Sequence, residues 1–94
     1  MKWLEIIELR AVGTNRKLLE SQLQELMDEA AKESLPESVR AYRRAMIDSD
    51  LSIHLIHESA DIGTNGSSLG LRLVSGLKEF GLINHSIWIE MRGK

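Results

Sequence analysis

The chain reads as one α+β domain over residues 1–94: a four-stranded antiparallel sheet carrying two helices on one face. Three observations predict it. Residues 51–58, LSIHLIHE, alternate in the strand period, with Leu51, Ile53 and Leu55 on one face and Ser52, His54, Ile56 and Glu58 on the other. Two segments, 19–30 and 69–80, instead repeat apolar residues in the helical period. Strand-like segments at residues 3–12, 39–47 and 83–91 complete the order strand, helix, strand, strand, helix, strand.

The first strand, 3–12, carries Trp3, Glu5, Ile7, Leu9 and Ala11 on one side and Leu4, Ile6, Glu8, Arg10 and Val12 on the other. Apolar residues on both sides suit a central strand, and neither side is clean. After Gly13, Thr14 or Asn15 offers a side-chain oxygen to cap a helix. Its core stripe is Leu19, Leu23, Leu26, Met27 and Ala30; Gln22, Glu25, Asp28 and Glu29 face outward. The segment Ser34-Leu35-Pro36-Glu37 ends it, because a residue before proline avoids helical geometry.

Val39–Ile47 follows as a strand joined to the 51–58 strand by Asp48-Ser49-Asp50 as a short hairpin loop. Setting Ile47 opposite Leu51 puts Ala45 against Ile53, Arg44 against His54, Tyr42 against Ile56 and Arg40 against Glu58. Arg40, Arg43 and Arg44 suit an exposed edge. The polar stretch 59–67 leads to a second helix, from Ser67 or Ser68 to Phe80, with Leu69, Leu73, Leu77 and Phe80 inward. Gly81 is placed to end that helix in the left-handed conformation. The last strand, Ile83–Met91, turns Ile83, His85, Ile87 and Ile89 one way and Asn84, Ser86, Trp88 and Glu90 the other. Right-handed crossovers then order the sheet 4-1-3-2, the ferredoxin-like arrangement.

Composition narrows the function classes. Twelve basic and fourteen acidic residues, with no basic block, disfavour nucleic-acid binding. With no cysteine, disulfides, thiolate metal sites and cysteine nucleophiles are excluded. No apolar run approaches the ~20 residues of a membrane span, and the start, Met1-Lys2-Trp3-Leu4-Glu5, is unlike a signal peptide. A cytoplasmic protein without membrane attachment is expected. A domain this small buries only about 60–65% of its unfolded surface, so association with a second copy would help it.

The sheet face away from the helices collects Tyr42, Arg44, His54, Ile56, Ser86 and Trp88. Such an apolar surface predicts a homodimer formed through it. Tyr42, Arg44, His54, Ser86 and Trp88 are the candidate ligand-binding residues. His54 is the candidate catalytic residue, as a general base or an anchor for a ligand carboxylate. The plainer reading makes it an interface residue satisfied by the partner, and makes Arg40 and Arg44 solvated edge charges.

No metal site is expected. His54 and His57 point to opposite faces of a strand, and His57 with His85 lacks a carboxylate or cysteine companion. No cofactor is expected either. The stretch Gly63-Thr64-Asn65-Gly66-Ser67-Ser68 enters a helix N-terminus and has an anion-binding option, but it lacks the lysine of a P-loop. A flexible capping loop is the simpler reading.

The element order over essentially the whole chain, with its amphiphilic open sheet face, resembles the dimeric α+β barrel superfamily, which includes antibiotic biosynthesis monooxygenase-like proteins. The resemblance implies protomers packed sheet against sheet, with a pocket within the barrel or between helices and sheet. No catalytic motif is matched: Asn84, Trp88 and His54 are present without a demonstrated correspondence. The segment from Ser67-Ser68-Leu69-Gly70 through His85-Ser86-Ile87-Trp88 also resembles a small bacterial family without an assigned function. The function expected is a homodimeric ligand-binding or assembly module. The alternative is a cofactor-independent oxygenase or isomerase acting on a small aromatic or polyketide-like molecule. A third option, an amino-acid-binding regulatory module of the same element order, lacks a second domain to regulate within this chain.

Overall fold

The computed structural model describes residues 1–13, 15–33 and 36–93. Its elements are β1 (Lys2–Ala11), α1 (Arg16–Ala30), β2 (Ser38–Arg43), β3 (Asp50–Glu58), α2 (Ser68–Leu77) with a 3₁₀ turn at Lys78–Phe80, and β4 (Gly81–Ile89). The sheet order is β2-β3-β1-β4, with every neighbouring pair antiparallel, so the order expected from right-handed crossovers holds.

The mixed face of β1 is resolved by what covers it. Trp3, Glu5, Ile7 and Leu9 are buried, together with Ile53, Leu55 and His57 of β3. Against them lie Leu19 and Ala30 of α1, Leu69, Leu73 and Leu77 of α2, and Phe80. Leu23, Leu26 and Met27 flank this core half-buried, completing the stripe predicted for α1. Asn15 caps α1, its side-chain oxygen accepting from the Leu18 amide at 3.1 Å. Thr14, the other candidate cap, and Ser34-Leu35 of the predicted helix stop lie outside the described residues; α1 itself ends at Ala30.

Three expectations are corrected. β2 is shorter than Val39–Ile47, and its register differs by four residues: Arg43 faces Leu51, Tyr42 faces Ser52, Ala41 faces Ile53 and Arg40 faces His54. The connection therefore spans residues 44–49 rather than Asp48-Ser49-Asp50 alone. It closes through the Arg44 amide on the Asp50 carbonyl at 2.9 Å and places Met46 at φ 71°. Side-chain ion pairs from Asp50 to Arg44 (3.1 Å) and Arg10 (3.3 Å) hold the same corner. A four-residue shift keeps each side chain on its face, so alternation alone does not select against it.

Gly81 is not a left-handed terminator. It is extended and opens β4, paired with Ala11, where a Cβ would run into the Arg10 carbonyl oxygen. With Gly81 in the sheet, β4 begins two residues earlier than expected and ends at Ile89 rather than Met91.

Candidate functional site

The third correction concerns His57 and His85, which do have a carboxylate companion. In the sheet register Trp3 is opposite His57 and Ile7 is opposite His85, so Glu5 sits diagonally between the two histidines. His57 Nε2 lies 2.9 Å from Glu5 Oε1, and His85 Nε2 lies 2.6 Å from Oε2. The Ser67 hydroxyl donates to Oε1 at 2.7 Å and the Ser67 amide donates to Oε2 at 3.1 Å. The Ser67 hydroxyl oxygen also caps α2 by accepting from the Gly70 amide at 3.0 Å. Glu5 is 0% exposed, and no buried side-chain nitrogen or oxygen among the described residues lacks a partner.

The charge state of Glu5 follows. Burial pushes its carboxyl pKa up, but the hydrogen bonds from Ser67, His85 and His57 outweigh that and hold it below the ordinary value. The carboxylate is therefore ionised and can only accept, so Nε2 of each histidine carries a hydrogen. Glu5 also supplies a built-in anion at the α2 N-terminus, where free amides and the helix dipole favour negative charge. Two donors of the stretch 63–68 that offered the anion-binding option, the Ser67 amide and hydroxyl, are occupied by Glu5 of the chain itself. Both Nε2 atoms aim at the carboxylate, which leaves no shared vertex for a metal; among the described residues no group of three ligands is arranged for one.

His57 is stacked on Trp3, ring centroids 3.9 Å apart and planes 14° from parallel. The indole is fixed in turn by its own N–H, which donates to the Ser59 hydroxyl at 3.0 Å. A cleft of about 310 Å³ opens along this stack, walled by Trp3, His57, Ser67, Pro36, Leu69 and Arg72. Arg72 pairs there with Glu33.

The residues singled out from the sequence lie on the other side of the sheet. Tyr42 and His54 are in contact, ring centroids 4.8 Å apart and tilted by 54°, and His54 Nε2 approaches the Ser52 hydroxyl at 3.4 Å. Trp88 donates its N–H to the Ser86 hydroxyl at 2.9 Å. Ile6 of β1 stands between His54 and Ser86 in the same row, so these two residues are about 10 Å apart across two strand spacings. The five therefore divide into a Tyr42–His54 pair and a Ser86–Trp88 pair. Arg44 joins neither, being held by Asp50 at the hairpin; Arg40 is the arginine opposite His54.

Sequence reasoning missed Glu5, Ser67 and the Trp3 stack. The signal was a lone Glu on the otherwise apolar Trp3–Ile7–Leu9 face, with His57 and His85 placed by parity on the same covered side.

No protein-family model matches the sequence, and neither does any curated protein. Among solved structures, the fold is similar to Rv0793 from Mycobacterium tuberculosis: TM-score 0.74 at 14% identity, covering 99% of this chain and 98% of that one. It is also similar to a variant of SnoaB, a cofactor-independent oxygenase from Streptomyces nogalater, with TM-score 0.74, 11% identity, and 98% and 95% of the two chains covered. Likeness at such identity speaks for the fold alone, the four-stranded antiparallel sheet with two helices described above.

Proposed function

We propose that the chain works as a homodimeric binding or assembly module whose open sheet face is covered by a second copy of itself. The observation that carries this is the exposure of Trp88 (58%) and Tyr42 (48%) beside half-buried Leu4, Ile6 and Ile56 on a face that neither helix covers. Covering large apolar side chains contributes about 1.5–3 kcal/mol each, so a few of them suffice for a modest dimer. The sheet-against-sheet pairing implied by the fold supports a copy of the same chain as the cover.

In such a dimer Tyr42, His54, Ser86 and Trp88 line the space between the sheets, and Arg44 borders it at the hairpin. A small ligand held there would meet the Tyr42–His54 pair at one end and Trp88 at the other. Sedimentation velocity tests the association: the wild type should sediment as a dimer at micromolar concentration and Trp88→Glu as a monomer. A wild-type monomer at high micromolar concentration would refute the proposal.

One observation favours a second reading, a cofactor-independent oxygenase or isomerase of a small aromatic or polyketide-like molecule. It is the full-length likeness to SnoaB, described as a cofactor-independent oxygenase. Here His54→Ala discriminates, abolishing turnover in an enzyme that uses the open face and only shifting affinity in a binding module.

A further inference from the structure

We propose that the outer edge of β4 pairs with the same edge of a second copy, antiparallel and centred on His85, so that two four-stranded sheets join into one of eight strands. This surface is distinct from the open sheet face, and the pairing does not require that face to be covered.

The backbone groups that would make the joint are free to do so. Among the described residues β1 is the one strand beside β4. At the two ends of an unbroken register, the Glu90 amide donates to the Lys2 carbonyl at 3.0 Å and the Val12 amide to the Phe80 carbonyl at 2.8 Å. Bonded pairs alternate with non-bonded ones in an antiparallel ladder, so the even-numbered residues of β4 bond to β1. The N–H and C=O groups of Ile83, His85 and Ile87 therefore point away from the sheet. No other backbone hydrogen bond among the described residues reaches them.

β4 also lacks the devices that keep an edge from pairing. From Gly81 to Ile89 it carries no charged residue and no proline, whereas β2, the opposite edge, carries Arg40 and Arg43. Leu82 stands 70% exposed and Ile89 52%.

A second copy fits this edge because the strand has the same pattern in both directions. About His85, Asn84 balances Ser86, Ile83 balances Ile87 and Leu82 balances Trp88. Antiparallel pairing on that centre sets polar against polar and apolar against apolar, with no like charges opposed. The backbone obeys the same centre: residues 83, 85 and 87 meet 87, 85 and 83 of the other copy, all with outward groups. A slip of one residue would set outward groups against inward ones. A slip of two would set His85 against Ile87 and Asn84 against Trp88. At the axis His85 keeps its ring on Glu5 of its own protomer, Nε2 to Oε2 at 2.6 Å. The two-fold axis is normal to the sheet, so both open faces lie on one side and stay available to further copies.

Cysteine trapping tests the register, the wild type having no cysteine. Asn84→Cys and Ser86→Cys chains are mixed in a glutathione redox buffer, with amide spectra establishing that each is folded. Opposed residues of a non-bonded pair have Cα atoms about 4.5 Å apart, within disulfide reach. Sheets packed face to face stand about 10 Å apart, beyond it. The mixture should give at least tenfold more covalent dimer than either variant alone, whose like residues are diagonal neighbours about 7–8 Å apart.

Amide exchange reads the same joint in the wild type. At millimolar concentration the Ile83, His85 and Ile87 amides should exchange at least tenfold more slowly than after a hundredfold dilution, while those of Asn84 and Ser86, bonded to β1, should not change. Ile87→Pro removes an outward N–H and no bond to β1, and should abolish the protection at Ile83 and His85. Equal trapping in the mixture and in the single variants would overturn the proposal. So would rapid exchange at residues 83, 85 and 87 at every concentration, or protection accompanied by intermolecular NOEs from β4 to Arg40 or Arg43 instead of from Trp88 to Leu82.

Discussion

The Nε2–H of His57 donates across 2.9 Å to a Glu5 oxygen that lies 52 residues away in sequence and wholly out of solvent. The same carboxylate receives His85 and both donors of Ser67, so β1, β3, β4 and the start of α2 converge on one side chain. A buried ionised group is tolerated only when its lone pairs are met, and here four donors meet them.

Removing the carboxylate should therefore cost more than its own hydrogen bonds. In Glu5→Ala the His57, His85 and Ser67 donors lose their acceptor, at roughly 1–3 kcal/mol for each one left unsatisfied. Urea unfolding should show a loss of at least ~3 kcal/mol, a large share of the ~5–15 kcal/mol typical of a domain. A loss below ~1 kcal/mol would mean that Glu5 does not hold the cluster together.

The acid dependence has a definite sign. Glu5 is held below its ordinary value of 4.5 in the folded chain, so between the two values the unfolded chain binds more protons and stability rises with pH. This contribution is complete above 4.5 and is lost as pH falls through the folded value. Asp50 adds to the same trend: burial raises its carboxyl, but Arg44 and Arg10 more than offset that and lower it. Unfolding midpoints measured from about pH 6 down to about pH 3 should fall less steeply in Glu5→Gln than in wild type. Parallel curves would contradict the assignment.

Two glycines of α2 should respond oppositely to alanine. A Cβ at Gly70 would strike the Glu5 carboxylate, a buried group with no room to move, whereas at Gly76 the nearest atom is the Leu26 Cδ1 methyl at 3.1 Å, the end of a flexible side chain. Alanine gains about 0.8–1 kcal/mol of helix propensity at either site. At Gly70 an overpacking cost of ~1–3 kcal/mol and the disturbed cluster outweigh that gain. Thermal unfolding should place Gly70→Ala clearly below wild type and Gly76→Ala at or above it.

The fold was legible because periodicity, caps and element order are local properties. Leu69, Leu73, Leu77 and Phe80 were identified from spacing alone, and all four are buried. The β2 register was not legible: any even shift preserves the faces, and the choice falls to the Asp50 ion pairs and to Met46 at φ 71°, a conformation no residue there announces. Glu5 was visible as a blemish on an apolar strand face. Its meaning lay in partners 52, 62 and 80 residues away, which only pairing of β1 with both neighbours brings together.

The claim that a second copy covers the open sheet face is tested most directly by isotope-filtered NOE spectroscopy on a mixture of labelled and unlabelled chains. Intermolecular NOEs should run from the Trp88 indole to Ile6, Ile56 or Tyr42 of the other copy. Intermolecular NOEs confined to the helix side, at Leu18 of α1 or Leu71 of α2, or a complete absence of intermolecular NOEs, would contradict it.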